Sequence, residues 1–294
     1  MAPGLTALAA AIRTEGFCTF VVSAPSGERS AQSHCITVGG KHLHAWELPV
    51  AGAEEAWAVD GTPADSTMLA MYGPLLRNRS FNLVVSGINR GDNCGLHVIY
   101  SGTVGAAREA ACKDVPALAV SLDNYAARSE EQYAAAAAYT VAMMKAVLGV
   151  LPSPLKLAAG PSLAARLAGH VINLNVPKAE AVVDIQGYQL AWQAGSLRSD
   201  ASEGCDSAAV QQGWVAVTPI GLRSDVPVTA EAAQQRLQPA LMQALAAAMQ
   251  AAAASLGVAV RGVPEELLAA TGSSAAAAAP TELQPEAVAV GSAV

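Results

Sequence analysis

Residues 83–111 read LVVSGINRGDNCGLHVIYSGTVGAAREAA, and this stretch decides the fold. The apolar run 83–85 ends in Ser86-Gly87 and leads into a loop rich in Gly and Asn, after which a helix is predicted over 103–113. A short apolar run bounded by turn residues is typical of a parallel strand that is covered on both faces. The stretch therefore predicts a strand, loop and helix of an open α/β sheet, in which ligands bind beyond the carboxyl ends of the strands.

The loop and the start of the helix are suited to an anionic ligand. Gly87 and Gly102 allow the backbone to approach a ligand closely, and Asn89 adds a small side chain with an oxygen atom. Ser101, Gly102 and Thr103 stand where the helix begins, and the free N–H groups and positive dipole end of a helix attract phosphate first among anions. The alternative is a Gly/Asn loop with an ordinary Ser/Thr helix cap, because short motifs are weak signals by themselves.

The composition limits the class of protein. The chain has 294 residues, which is enough for one large α/β domain with appendages. Its net charge of −7 and the lack of a basic cluster argue against nucleic acid as a partner. The five cysteines form no C-x-x-C pair, which indicates reduced thiols in an intracellular compartment. We expect a cytoplasmic protein, with an organellar transit peptide as the alternative.

Helices and strands alternate along most of the chain, which is the pattern of a layered α/β domain. Helix 3–15 has Pro3 in its first turn and closes at Gly16. The apolar segment 133–151 is interrupted by Lys145, so it predicts a covered helix and no membrane partner. The other predicted elements are strand 17–22, a hairpin of 34–38 and 41–48 about Gly39-Gly40, strand 57–59, helix 62–76, strand 115–122, helix 126–150 and strand 171–176.

The pattern changes after residue 177. Segments 187–192 and 213–217 predict strands with hairpin character, separated by a polar loop over 196–204, and 228–251 predicts an alanine-rich helix. From residue 252 the chain has few large side chains, so 252–294 is predicted to be a disordered tail. The predicted domain therefore spans 1–251.

Two further loops lie at predicted strand ends. Ser30, in the polar loop 23–30, is a candidate metal or phosphate ligand, although a lone serine is more often a turn or cap residue. The sequence GTPAD at 61–65 has the chemistry of a helix start: Thr62 as N-cap, Pro63 in the first turn and Asp65 as an early acid.

These motifs together resemble a known family. VSGINRGDNCG followed by YSGTVGAAREA is similar to the signature of the SurE survival-protein family of metal-dependent phosphatases and nucleotidases. The variant of this motif that contains Cys94, Gly95 and His97 resembles the motif of the green-plant members. The likeness extends over about residues 2–245, through APSGERS at 24–30, VDGTPAD at 59–65, VPALAVSL at 115–122, VINLNVP at 171–177 and, after Asp206, GWVAVTPIG at 213–221.

The resemblance implies a three-layer Rossmann-like α/β fold with a β-hairpin extension and a C-terminal helix used for oligomerisation, in a homodimer or homotetramer. The implied activity is hydrolysis of phosphate monoesters, notably nucleoside 5′- and 3′-monophosphates, with Mg²⁺ or Mn²⁺. Two family metal ligands map onto Ser30 and Asn89, which become the predicted catalytic and metal-binding residues. Residues 101–103, with Gly87, match the phosphate side of the site.

The chain departs from the family pattern at its start. Family members begin with a strand that ends in Asn-Asp-Asp-Gly and supplies two metal-binding carboxylates, whereas this sequence begins just after that segment. Because hard divalent ions are held chiefly by carboxylates, we expect impaired hydrolysis. Loss of a central strand would also leave an unpaired gap between its neighbours, which favours a truncated record of a longer chain.

Two alternatives stay open. The first is an inactive family member kept as a binding or oligomerisation module. The second, less favoured, is a Rossmann dinucleotide binder: Gly87, Gly91 and Gly95 are evenly four apart and do not form the G-x-G-x-x-G pattern.

Overall fold

The computed structural model describes residues 1–40, 42–76, 79–155, 157, 160–194, 202–221, 239–265, 267 and 286–290. Its strands in chain order are β1 (Thr19–Pro25), β2 (Ala45–Glu47), β3 (Ala56–Val59), β4 (Leu83–Arg90), β5 (Ala117–Asp123), β6 (Val171–Pro177), β7 (Gly187–Leu190), β8 (Trp214–Ile220), β9 (Ala259–Arg261) and β10 (Glu286–Val290). Its helices are α1 (Pro3–Glu15), α2 (Pro63–Tyr72), α3 (His97–Tyr100), α4 (Gly102–Ala111), α5 (Ala134–Val147), α6 (Leu163–Leu167), α7 (Asp206–Gln211) and α8 (Pro239–Leu256), with short 3-10 turns at Pro74–Leu76, Glu130–Tyr133 and Val182–Asp184.

The strands form one sheet in the order β2-β3-β1-β10-β4-β5-β6-β8-β7-β9. The central pairs from β3 to β6 are all parallel. Apolar side chains alternate between two cores: Leu83 and Val85 belong to the core that contains α1, α5 and α8, whereas Val84 belongs to the core that contains α2 and α4. The result is a three-layer α/β fold with helices on both faces of the sheet, as the sequence predicts.

Several predicted elements are confirmed by local chemistry. Helix α1 covers 3–15, and Gly16 ends it in the left-handed region at φ 57° with its N–H bonded to Ile12 O. Thr62 and Asp65 form a capping box at the start of α2, and Asp65 also accepts hydrogen bonds from the N–H and hydroxyl of Thr37. Asp65 is therefore a helix-start residue, as the GTPAD pattern indicates.

The hairpin predicted about Gly39-Gly40 is wrong. Residues 34–38 form no strand, and β2 pairs antiparallel with β3 at the edge of the sheet. The polar groups of this segment bind the start of α2 instead, since Cys35 O accepts from the Thr62 hydroxyl at 2.5 Å and Thr37 donates to Asp65. A turn signal specifies a reversal of the chain, but the neighbours available in the fold decide which segments pair.

The hairpin character predicted for 187–192 and 213–217 is also wrong. β7 and β8 pair in parallel, from Gly187 opposite Trp214 to Leu190 opposite Val217. Parallel neighbours need a crossover connection, and α7 lies on that connection between the two strands. Most of the polar loop predicted over 196–204 falls outside the described residues, as does 228–238 of the predicted C-terminal helix.

The predicted disordered tail differs from the structure at both of its described ends. Helix α8 runs to Leu256, β9 follows, and β10 lies between β1 and β4, parallel to both. The register sets Thr19 opposite Glu286 and Leu83 opposite Ala287. β1 and β4 therefore have a shared partner, and the unpaired gap expected between them is filled by a strand from the end of the sequence.

Of the described helices, α8 alone has the length and hydropathy to cross a membrane, and 61% of it is buried inside the fold. It packs against α5 and α6 with small and apolar side chains. Its apolar composition is thus explained by its place in the core.

Candidate functional site

A cavity of about 250 Å³ lies at the carboxyl edge of the sheet, beyond β4. It is lined by residues from segments 29–31, 89–93 and 97–103 and by the side chain of Tyr125. Five of the six predicted site residues meet there, although they are distant in sequence. They are Ser30, Asn89, Ser101, Gly102 and Thr103.

The sixth, Gly87, does not line the cavity. It lies inside β4 at φ 137°, and a Cβ atom there would stand 2.4 Å from the carbonyl oxygen of Val120. The pairing of β4 with β5 shifts register between Ser86 and Asn89, so Gly87 permits the local backbone that carries Asn89 to the cavity. The glycine is explained by backbone geometry, and its predicted role in phosphate binding is not one the cavity supports.

The start of α4 forms one wall. The Ser101 hydroxyl accepts a hydrogen bond from Val104 N–H at 3.1 Å and caps the helix. Among the described residues, no group accepts from the N–H of Gly102 or Thr103. A Cβ on Gly102 would lie 3.0 Å from Pro63 Cγ, so glycine lets α2 approach closely. The wall thus offers two backbone donors at the positive end of a ten-residue helix.

Two arginines add positive charge to the cavity. Arg29 is oriented by Gly61 O, 3.1 Å from its Nε, and by Asp60 O. Arg90 follows Asn89 at the end of β4. No carboxylate of the described residues lies within 4 Å of either guanidinium. Sequence reasoning missed both arginines, although they adjoin the predicted Ser30 and Asn89, because single arginines are common on protein surfaces.

The carboxylate that lines the cavity is already engaged. Asp92 accepts hydrogen bonds from Cys94 N–H at 2.9 Å, from His97 Nδ1 at 3.0 Å and from the Tyr125 hydroxyl at 2.8 Å. Burial and the bond to Asp92 raise the pKa of Tyr125 above its ordinary value, so this phenol stays a donor. Asp92 therefore organises the loop around it and forms no ion pair with either arginine.

Buried amides anchor the loop from below. Asn93 N–H donates to Asn175 Oδ1 at 2.7 Å, and Asn93 Nδ2 donates to the Ser121 hydroxyl at 2.6 Å. Asn173 Nδ2 donates to Asn93 O at 2.9 Å. All four side chains are buried, so the pattern VINLNVP places its two asparagines where a loop needs fixed partners in the sheet.

Asp206, which precedes the last of the sequence motifs, anchors the loop at a second point. The Asp206 carboxylate is fully buried and accepts from the N–H groups of Gly95, Ala194 and Ser207 at 2.8–2.9 Å. Burial raises the pKa of Asp206 to about 6, while the three backbone donors act in the opposite direction. Asp206 joins the loop to the start of α7 and lies outside the cavity.

The predicted metal ligands do not fit a divalent ion by themselves. The exposed Ser30 hydroxyl donates to Glu28 at 3.2 Å, and Asn89 Nδ2 donates to Gly91 O at 2.9 Å, which leaves Asn89 Oδ1 for a ligand. Both residues offer neutral oxygens. The described part of the chain holds no group of three or more His, Cys, Asp or Glu side chains suited to a metal. Mg²⁺ and Mn²⁺ need carboxylate oxygens to offset their charge, so these residues form an incomplete site.

Comparison with known proteins places this arrangement in a family. The family model described as Survival protein SurE matches residues 1–199. The 5'-nucleotidase SurE of Acinetobacter baylyi is 36% identical over 249 residues, covering 74% of this chain and 88% of that protein. The 5'-nucleotidase SurE 1 of Thermus thermophilus is 39% identical over 228 residues, covering 75% and 87% respectively.

A solved structure shares the fold. The crystal structure of the SurE protein from Aquifex aeolicus is 26% identical to this chain and superposes with a TM-score of 0.61. The likeness covers 76% of this chain and 90% of that one. The sheet and its flanking helices therefore follow an architecture already seen by crystallography.

Proposed function

Because the chain belongs to the SurE survival-protein family, we propose that its cavity binds phosphate monoesters, with nucleoside 5′- or 3′-monophosphates as the substrate class. The relatives named 5'-nucleotidase SurE support hydrolysis of the phosphate ester as the reaction. We infer slow turnover in this chain, because the described residues hold no group of three or more His, Cys, Asp or Glu side chains suited to a metal.

One observation carries the proposal. Among the described residues, Arg29 and Arg90 have no carboxylate partner and the N–H groups of Gly102 and Thr103 have no acceptor, and all four residues line one cavity. A phosphate dianion is the ligand that best uses two fork-shaped cations and a helix N-terminus together. Arginine can also bond two phosphate oxygens at once, which fixes orientation as well as charge.

Hydrolysis of a phosphate ester places two requirements on the protein. It must stabilise the charge on the equatorial oxygens of the transferring group and place a water in line with the leaving oxygen. Arg29, Arg90 and the α4 N-terminus supply the first. For the second, the carboxylate that lines the cavity, Asp92, already accepts three hydrogen bonds and is poorly placed to act as a base.

A divalent ion bound at Ser30 Oγ and Asn89 Oδ1 would need further charged ligands, and the described residues hold no group of three or more His, Cys, Asp or Glu side chains to supply them. We therefore expect this chain to bind phosphate monoesters but to hydrolyse them slowly. The second candidate function, a phosphate-binding module without catalysis, is favoured by the same incomplete set of ligands.

The test measures binding and release separately. Isothermal titration with adenosine 5′-monophosphate and with adenosine should show binding of the nucleotide and none of the nucleoside. Release of inorganic phosphate, followed with and without Mn²⁺, should be far slower than in a purified relative. Full turnover with Mn²⁺ would show that the ligand argument is wrong, and equal affinity for nucleotide and nucleoside would remove the phosphate assignment.

A further inference from the structure

His97 lines the cavity and has a fixed orientation. Its Nδ1 lies 3.0 Å from Asp92 Oδ1, and its side chain is 36% exposed. A carboxylate can only accept hydrogen bonds, so Nδ1 must carry the proton of this contact. In the neutral ring, Nε2 is then the nitrogen with the free lone pair.

Two other donors hold the carboxylate that orients the ring. Tyr125 OH and Cys94 N–H both bond Asp92, at 2.8 and 2.9 Å. Asp92 is thus fixed from the loop after β4 and from the segment after β5. A carboxylate held by three donors keeps the imidazole in one tautomer and one plane.

The backbone of His97 is tied to the helix start. The N–H of Ser101 donates to His97 O at 3.1 Å, which closes the turn of α3 directly before α4. The ring therefore belongs to the same rigid unit as the unpaired N–H groups of Gly102 and Thr103. Within the described residues, no hydrogen bond is made by Nε2.

We propose that His97 is a further ligand of the phosphate group through Nε2, and that Asp92 and Tyr125 are its positioning residues. This inference rests on the proposed function. One proton lies between Nε2 and a phosphate oxygen, and it comes either from a protonated ring or from the O–H of a phosphate monoanion. No bond to phosphorus forms or breaks in this step.

The test uses the full chain with ¹⁵N-labelled histidine. Two-bond proton–nitrogen spectra should show Nδ1 protonated in the free protein. Adenosine 5′-monophosphate and inorganic phosphate should both move the Nε2 resonance of His97, and adenosine should not. Replacing Asp92 by Asn should release the ring into a mixture of tautomers and weaken the response of Nε2 to inorganic phosphate; the second change is one that a purely structural bond between Asp92 and His97 would not produce.

Variants give a second measure. His97→Ala should weaken nucleotide binding about tenfold, the usual worth of one hydrogen bond to a charged group. His97→Gln, which keeps a donor near the Nε2 position, should recover part of that loss. The matched control is His42→Ala, since His42 is exposed and does not line the cavity.

The outcomes separate the two ideas. If nucleotide moves the amide resonances of Gly102 and Thr103 but leaves Nε2 of His97 unchanged, the inference is overturned and the proposed function stands. If neither the amides nor Nε2 respond, both fail. Joint movement of the amides and Nε2, with unchanged affinity in the His42 variant, supports both.

Discussion

At the scale of single residues, Arg29 and Arg90 differ from the other charged groups of the site. Asp92 has three hydrogen-bond donors and Asp206 has three backbone donors, whereas neither arginine has a carboxylate partner among the described residues. A cation that lines a concave surface without a counter-charge raises the local concentration of anions. The positive charge of the two arginines at the cavity thus contrasts with the net negative charge of the whole chain.

Replacing Arg29 by Gln should weaken binding of adenosine 5′-monophosphate by a factor of about ten to a hundred, because hydrogen bonds to charged groups contribute roughly 1.5–3 kcal/mol. Calorimetric titration measures it. Arg13→Gln changes the net charge equally on the exposed surface of α1 and should leave affinity unaltered. Equal losses in the two variants would mean that only net charge attracts the nucleotide.

Asp206 should make stability depend on pH. Burial raises its pKa in the folded state to about 6, above the ordinary value of 3.8. The folded state then binds this proton more tightly than the unfolded state, so stability falls as pH rises from about 4 to 6. The shift corresponds to about 3 kcal/mol.

Asp206→Asn removes this titration. Denaturant unfolding at several pH values should therefore show that the free-energy difference between wild type and variant changes by about 3 kcal/mol between about pH 3 and pH 7. Glu47→Gln, at an exposed carboxylate, should show no such change. A constant difference for Asp206→Asn would mean that its carboxylate ionises normally in the fold.

At the scale of elements, β10 lies at the centre of the sheet and pairs with the strands on both sides. Five of its residues pair with β1 and four with β4, and Ala287 is buried in the core shared by α1 and α5. Without β10, the facing N–H and C=O groups of two central strands would have no partners. A short strand from the end of the sequence thus supports the elements that carry Asn89 and Arg90.

Ala287→Asp should destabilise the protein by several kcal/mol, since it places an unpaired charge in a buried position of the central strand. Guanidinium unfolding followed by tryptophan fluorescence measures the loss. Ala51→Asp, in an exposed turn, is the matched control and should cost less than 0.5 kcal/mol. Identical unfolding midpoints for the two variants would show that β10 does not lie between β1 and β4.

At the scale of the whole molecule, the cavity combines segments that only the complete fold brings together. Its wall joins the loop after β1, the end of β4 and the start of α4, while β5, β6 and α7 anchor the loop between them. A ligand that contacts all three wall segments stabilises the folded state as a unit.

Saturating adenosine 5′-monophosphate should therefore raise the free energy of unfolding by about 2.7 kcal/mol at a hundred times its dissociation constant. The rise in the midpoint of thermal unfolding measures it, with adenosine at the same concentration as control. A nucleotide that binds without raising the midpoint would bind the unfolded chain equally well, and the cavity would not be its site.

Local chemistry was readable from the sequence. The strand–loop–helix of 83–111 and the caps at Gly16 and Thr62 depend on neighbouring residues, so their prediction succeeded. Five predicted site residues converge for the same reason, because the carboxyl ends of parallel strands share one edge. The role of Gly87 in phosphate binding stays a prediction, since a glycine needed for a close strand contact has the same sequence signal as one needed for a ligand.

Only the tertiary structure decided which segments became neighbours. Residues 34–38 bind α2 instead of forming a hairpin, β7 and β8 run parallel, and a strand from the predicted disordered tail fills the middle of the sheet. Arg29, Arg90 and His97 came to line one cavity in the same way. These outcomes depend on pairing and charge over long sequence separations, where no local pattern distinguishes one partner from another.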